Sequence, residues 1–310
     1  MINTQLSMKF ITHKKQFRTI GKALLVRAPA KINLTLLITG KRPDGFHEIE
    51  TVMSKINWYD EILIQHGSKA GIELVCKGPY WAPAGEENLV YKACKTLLEY
   101  CGKTACLKIT LTKNVPAGTG LGSASSDAAT TLMGVNRFLK LGISTRKLMK
   151  IAAQLGSDVA FFLNGPLALC TGKGEKIKKL SKNFNFLALL VLPNISVSTK
   201  RAYENYIHNQ AVYTELHSKI KNFLRKNRID LAAKMCANML QISCFDIYKD
   251  IKKLKKRIES LGIGPLCLSG SGGVMYCIIE NKGEKKAKEY QRVLEERLNC
   301  KSVIVNNNRW

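Results

Sequence analysis

Residues 116–130 read PAGTGLGSASSDAAT, a run of small residues that leads into a helical pattern. Glycine adopts φ > 0 without a Cβ penalty, so Gly118, Gly120 and Gly122 let a tight loop turn its N–H groups inward. Pro116, Ala117, Gly118, Thr119, Gly120, Leu121, Gly122, Ser123 and Ala124 are therefore a candidate nest for an anion. Ser125 and Ser126 are N-cap candidates, and from Asp127 onward the apolar positions follow a helix face. Free N–H groups at the positive end of a helix dipole make a phosphate site. The loop lacks the lysine of a Walker sequence, and it lies far from the first strand, where a dinucleotide fingerprint begins. By itself it fits a phosphate cradle and a plain helix-capping turn equally.

Four further stretches carry reactive types. PAKINL, residues 29–34, sets Lys31 and Asn33 among apolar neighbours. A buried ammonium is costly unless it meets an anion; the alternatives are a lysine snorkelling from a sheet edge and a structural amide. KRPDGFHE, residues 41–48, contains a turn at Pro43, Asp44 and Gly45 and presents Phe46 beside His47. GSDVAFF, residues 156–162, puts Asp158 at the mouth of an apolar run, as a base or as a cap. LSGSGG, residues 268–273, is a second glycine turn, with Ser269, Gly270, Ser271 and Gly272 ahead of a strand.

These groups need a scaffold. Strand patterns cover residues 24–38, as two pieces flanking Pro29, then 61–65, 107–112, 187–192, 274–279 and 302–305. Helical patterns cover 88–100, 127–140, 145–155, capped by Ser144 and stopped by Gly156, and 285–298. The mixed order predicts an α+β chain of two lobes dividing near residues 180–186. The expected organisation is a basic N-terminal extension over 1–22, a first domain over 23–184 and a second over 185–310.

Composition narrows the function classes. No apolar run approaches the ~18 residues of a membrane span, and the first 22 residues, basic at Lys9, Lys14, Lys15, Arg18 and Lys22, lack the apolar core of a signal peptide. Met8 is an alternative start. The ten cysteines form no C-x-x-C pair and sit singly, often in apolar segments, so reduced buried thiols are expected rather than disulfides or zinc. A net charge of +26 brings nucleic acid into consideration, but the lysines fall in short surface stretches without an aromatic RNA-binding strand, zinc finger or basic zipper.

Taken in order, PAKINL, PAGTGLGSASSDAA and LSGSGG resemble the motifs of the GHMP small-molecule kinases. DGFHE at 44–48, ENLVYKA at 87–93, GSDVAFF and TGKGEK at 171–176 narrow the similarity to members acting on cytidyl-diphospho-methylerythritol. The resemblance implies a two-lobed α+β fold, with an N-terminal ATP-binding β-α-β lobe, a C-terminal ferredoxin-like α/β lobe and the active site between them. It implies ATP and Mg²⁺ as cofactors and phosphorylation of a tertiary 2-hydroxyl, a reaction that asks for positioning and charge neutralisation. Asp158 is then the general base, with Lys31 beside it.

By the same resemblance Asn33, Phe46 and His47 contact the acceptor, Phe46 standing where the family usually has tyrosine. The glycine loop, Asp127 and Asn88 contact ATP, although Asn88 and Asp127 are equally helix caps by type. Ser269, Gly270, Ser271 and Gly272 close on the phosphates. Ser125 or Ser126 could touch Mg²⁺, and no acidic cluster marks a dedicated metal site. Gly122, Ser123 and Ala124 stand where the family has three glycines, and Gly273 replaces a common proline. A homoserine, mevalonate or sugar kinase of the family is the nearest alternative, and residues 44–47 discriminate against it, since such enzymes have no cytosine to stack there. A basic nucleic-acid-binding protein and an inactive interaction protein are the other two. The expectation is completed by a small-molecule partner, no nucleic acid or membrane, a monomer or weak homodimer, and a bacterial cytoplasm.

Overall fold

Strand propensity and alternation build two sheets, and one long strand pair carries the site. The computed structural model describes residues 15–180, 184–279 and 283–310. In chain order it has β1 (Phe17–Ile20), β2 (Ala23–Lys41), β3 (His47–His66), β4 (Gly71–Lys77), α1 (Leu89–Tyr100), β5 (Cys106–Thr112), α2 (Ser123–Phe138), α3 (Thr145–Leu155), α4 (Val159–Phe162), β6 (Leu167–Gly172) and β7 (Lys176–Lys179). There follow β8 (Leu187–Leu192), α5 (Thr199–Glu204), α6 (Gln210–Arg225), α7 (Ile229–Lys234), α8 (Leu240–Ile247), α9 (Lys249–Ser260), β9 (Cys267–Leu268), β10 (Met275–Ile279), α10 (Glu284–Leu298) and β11 (Lys301–Asn306).

The first sheet runs β1-β2-β3-β5-β4, with β6 and β7 attached through β3; the second runs β11-β8-β10-β9. β3 serves two neighbours on its second edge: residues 49–54 pair with β6 and residues 61–66 with β5. Helices α1 to α4 cover the first sheet, with Val90, Leu97, Leu132, Ile151 and Phe161 clustering on Val26, Ile62 and Ile109.

Period-2 alternation in β8 separates two cores. Leu187, Leu189 and Val191 cluster with Ile251, Ile258 and Leu294 of α9 and α10. Ala188 and Leu190 cluster instead with Ile32, Leu34 and Val52 of β2 and β3. The lobes thus share a core, in which each buried Leu or Ile contributes about 1.5–3 kcal/mol. That packing fixes the loops at its rim.

Three expectations are revised. β2 runs through Pro29, whose missing N–H falls at a register shift between Pro29 and Lys31. Residues 17–20, assigned to the extension, pair with β2 (Phe17 opposite Val26), while residues 1–14 lie outside the described residues. Cys236 and Cys267 form a disulfide rather than two free thiols; 31 residues of separation hide the pair in the sequence, and the fold brings their Cα atoms to 4.8 Å. Among the described residues no helix is long and apolar enough to cross a membrane.

Candidate active site

After β5 the chain enters the glycine loop, where Gly118, Gly120 and Gly122 have φ of +69°, +83° and +66°. A Cβ at Gly120 would lie 2.1 Å from the Ser269 carbonyl oxygen, and one at Gly122 would lie 3.0 Å from the Lys31 side chain. Close approach of backbone from both lobes therefore requires glycine at 120. Helix α2 starts at Ser123, earlier than the predicted Asp127, with Gly122 at its cap position and no side-chain cap. The N–H groups of residues 123–125 have no helical acceptor, and the first helical bond runs from the Ser126 N–H to the Gly122 carbonyl at 2.9 Å.

Ser125 and Ser126 lie in that first turn instead of capping it. Ser126 Oγ is buried without a hydrogen-bond partner. Ser123 and Thr119 turn their hydroxyls onto the Pro116 carbonyl at 3.4 and 3.0 Å, and Ala124 is exposed.

Lys31 N–H donates to the Leu121 carbonyl at 2.9 Å, joining β2 to this loop. The Lys31 side chain is buried; Nζ donates to Asn33 Oδ1 and lies 3.7 Å from Asp158 Oδ2. Burial pushes the Lys31 ammonium below its ordinary value, and the Asp158 carboxylate pushes back. Asp158 precedes α4 and makes no side-chain hydrogen bond to it, so its carboxylate is not spent on capping. Asn33 is held in turn, its Nδ2 donating to Thr51 Oγ1 at 2.8 Å.

The second lobe closes the cleft. Ser269 Oγ accepts from Asn33 N–H at 3.3 Å and donates to the Gly120 carbonyl at 3.0 Å. Val274 N–H donates to the Thr119 carbonyl at 3.2 Å. Gly270 approaches so closely that a Cβ would lie 3.1 Å from Asn33 Oδ1 and 3.6 Å from Lys31 Nζ. The Ser271 and Thr199 hydroxyls hydrogen-bond at 2.8 Å, and Gly272 takes φ of +101°. Lys31, Asn33, Gly120, Asp158, Ser269 and Gly270 thus come together at the seam between the lobes.

His47 packs on Tyr203 of α5, with ring centroids 5.2 Å apart, and lies edge-on to Tyr206 at 5.8 Å. Burial, then the charge of Lys41, push its imidazolium below the ordinary range. At neutral pH the ring is therefore uncharged, with one donor and one acceptor nitrogen. Burial, then the Asp158 carboxylate, raise the Tyr203 phenol. Sequence reasoning missed Tyr203, because the stretch RAYENY signals a helix start but no reason to single out one tyrosine. Phe46 is 57% exposed, with Lys173 Nζ 4.6 Å from its ring centroid, and is not drawn into the His47 cluster.

Two residues expected at the nucleotide turn inward. Asn88 Oδ1 caps α1 by accepting from Val90 N–H at 2.9 Å, and its Nδ2 donates to the Pro83 carbonyl at 2.7 Å. Asp127 is buried beneath the loop, where Lys113 Nζ donates to its Oδ2 at 2.7 Å and also to Asp60. Asp60 Oδ1 accepts from Val115 N–H at 2.8 Å. Burial, then the neighbouring Asp60, push the Asp127 carboxyl well above the ordinary range. The triad ties the residue that opens the loop to the helix that follows it. Among the described residues no group of three His, Cys, Asp or Glu could hold a metal ion.

Comparison with known proteins places the chain in a family. The GHMP kinases N terminal domain matches residues 88–166, and the GHMP kinases C terminal domain matches residues 220–298. A 4-diphosphocytidyl-2-C-methyl-D-erythritol kinase of Syntrophus aciditrophicus is 38% identical over 87% of this chain and 94% of its own length. One of Geobacter metallireducens is 34% identical over 86% and 92%. A crystal structure of 4-(cytidine 5'-diphospho)-2C-methyl-D-erythritol kinase superposes with a TM-score of 0.73 at 27% identity, covering 92% of this chain and 100% of that one. A homoserine kinase from Cytophaga hutchinsonii shares the fold, with a TM-score of 0.71 at 19% identity over 94% of this chain and 98% of that one.

Proposed function

The chain belongs to the GHMP kinases, ATP-dependent small-molecule kinases, and among them to those of 4-diphosphocytidyl-2-C-methyl-D-erythritol; from this premise we propose that it transfers the γ-phosphoryl group of ATP to the tertiary 2-hydroxyl of that alcohol. The reaction is a step of non-mevalonate isoprenoid precursor synthesis. The observation that carries the reading is the Lys31 and Asp158 pair, 3.7 Å apart, in one cleft with the glycine loop and the Ser269 turn.

Asp158 takes the proton from the 2-hydroxyl as the oxygen attacks, a role worth about 10²–10⁴ in rate. Lys31, oriented by Asn33, sets a positive charge against the oxygen that loses that proton. The loop N–H groups and the first turn of α2 bind the β- and γ-phosphates, and Ser269, Gly270, Ser271 and Gly272 hold the loop from the other lobe. Neutral His47 donates to and accepts from a cytosine edge, with Tyr203 offering its ring face. Phe46 covers the slot from the solvent side. Asp127, held by Lys113, supports the loop from beneath, and Asn88 caps α1.

The residues also fit Mg²⁺ as an ion carried by the nucleotide. Mg²⁺ keeps several waters and binds through substrate phosphates without an all-protein cage, and the unpartnered Ser126 hydroxyl, with Ser125 in the same turn, would hold it. When bound, it offsets charge on the transferring phosphate. The same proposal has a monomer or weak homodimer working in a bacterial cytoplasm without a nucleic-acid partner.

ADP release with Mg·ATP and, in parallel, the cytidyl alcohol, mevalonate and homoserine tests the assignment. Turnover with the cytidyl alcohol alone is expected, with kcat lowered about 10²–10⁴-fold in Asp158→Asn. Turnover with another acceptor instead, or undiminished rates in Asp158→Asn, refutes it.

A further inference from the structure

Lys55 is a buried cation that the proposed chemistry does not use. The β2–β3 ladder pairs Lys31 directly with Lys55, so both side chains leave the same face of the sheet. Both reach the same short segment. Lys31 meets Asp158, the residue before α4, whereas Lys55 Nζ donates to the carbonyls of Phe162 at 2.9 Å and Asn164 at 2.7 Å, at the helix's far end. The Lys55 backbone N–H also donates to the Pro166 carbonyl at 2.8 Å.

Carbonyls at a helix C-terminus lack helical donors, and a four-residue helix has little stability of its own. Lys55 supplies those donors from a rigid strand. Among the described residues it makes no ion pair, and burial beside the charge of Lys179 pushes its ammonium down to about 7. A cation buried without a counter-ion costs free energy, so its net effect lies in what it orders.

We propose that Lys55 is a positioning residue for Asp158: it clamps the C-terminal carbonyls of α4 and thereby sets the reach of the Asp158 carboxylate toward Lys31 and the acceptor hydroxyl. The proposal rests on Asp158 being the base. It assigns the two register-paired lysines to opposite ends of one helix, one at the carboxylate and one at the backbone that carries it.

The test compares wild type, Lys55→Met, which keeps the stem and removes the donors, and Lys55→Gln, which restores two N–H donors. Readouts are kcat and KM for both substrates, the thermal midpoint, and amide exchange at residues 159–163 with the other helices as internal reference. In Lys55→Met the expectation is a kcat lowered ten- to a hundredfold, KM values within threefold, an unchanged or higher midpoint and faster exchange confined to 159–163. Lys55→Gln should recover most of the kcat. A folded Lys55→Met with wild-type kcat, or Lys55→Gln as impaired as Lys55→Met, overturns the proposal. Should the wild type itself show no turnover, the assignment of function fails. Exchange then still decides the clamp: acceleration confined to 159–163 upholds it, and unchanged exchange overturns it.

Discussion

Replacing Lys113 by methionine tests the ion triad beneath the phosphate loop. Lys113 Nζ is the one cation shared by Asp60 and Asp127, and all three side chains are 3% exposed or less. Removing it leaves two carboxyl groups facing each other, with Asp127 Oδ1 already unpartnered. Breaking a buried ion pair costs about 3–5 kcal/mol, a large part of the roughly 5–15 kcal/mol that holds a domain folded. Asp127→Asn should cost under about 1.5 kcal/mol, because Lys113 and Asp60 remain as one positive and one negative charge. The deficit also depends on pH. Asp127 is pushed above the ordinary carboxyl range in the folded protein, so between its unfolded and folded values the native state binds more protons, and stability falls as pH rises. Without the lysine this effect grows. Urea unfolding at pH 5.5 and 8 should therefore show Lys113→Met losing more at pH 8, with the double variant carrying Asp127→Asn regaining part of the loss. A Lys113→Met loss below about 1 kcal/mol at pH 8, or an Asp127→Asn loss equal to it, refutes the charge count.

Two further outcomes follow from the same structure. Gly120→Ala places a methyl 2.1 Å from the Ser269 carbonyl, whereas nothing lies within 4 Å of a Cβ at Gly118; kcat/KM for ATP should fall at least tenfold in the first, and Gly118→Ala should show only the ~1–2 kcal/mol of left-handed backbone strain in unfolding measurements. The Lys55 ammonium lies at about 7 folded and 10.5 unfolded, so between those values the unfolded chain binds more protons and stability rises with pH. Wild type should accordingly gain on Lys55→Met by up to about 1.4 kcal/mol per pH unit there, and parallel stability profiles would refute it.

Most of the chemistry was legible as motifs because its elements are local. The glycine loop, Lys31 with Asn33, Asp158 and the Ser269 turn each lie within a few consecutive residues, and backbone freedom or an apolar context marks each one. Regular elements with clean periodicity were legible too: the pattern over 145–155 and 187–192 coincides with α3 and β8. What was hidden depends on contacts across the chain. The middle of β3 carries Ser54, Lys55 and Asn57 among its apolar residues, which masks the alternation of a strand paired on both edges. Tyr203 meets His47 only once α5 is set against the start of β3. The family resemblance sets Asp127 near the nucleotide and its type makes it equally a cap, and only the partner Lys113, 14 residues earlier, shows that it points away.

The pocket is a product of lobe docking more than of either lobe. Three hydrogen bonds make the case: Ser269 to Gly120, Asn33 to Ser269, and Tyr276 to the Asn33 carbonyl, spanning 149, 236 and 243 residues. Each joins the second lobe to the strand that carries Lys31 or to the glycine loop. Without the second lobe Asn33 and Gly120 keep their identity but lose these partners, while Ile32, Leu34 and Val52 lose the buried face they share with Leu190 and Tyr276. A buried polar group left without its partner costs about 1–3 kcal/mol, so the shared apolar core and these three hydrogen bonds stabilise one another. The strand that holds Lys31 within 3.7 Å of Asp158 is held in register by the same packing that seats Ser269 on Gly120. A substitution in that core, such as Leu34→Ala, should then weaken phosphate binding and lobe docking together.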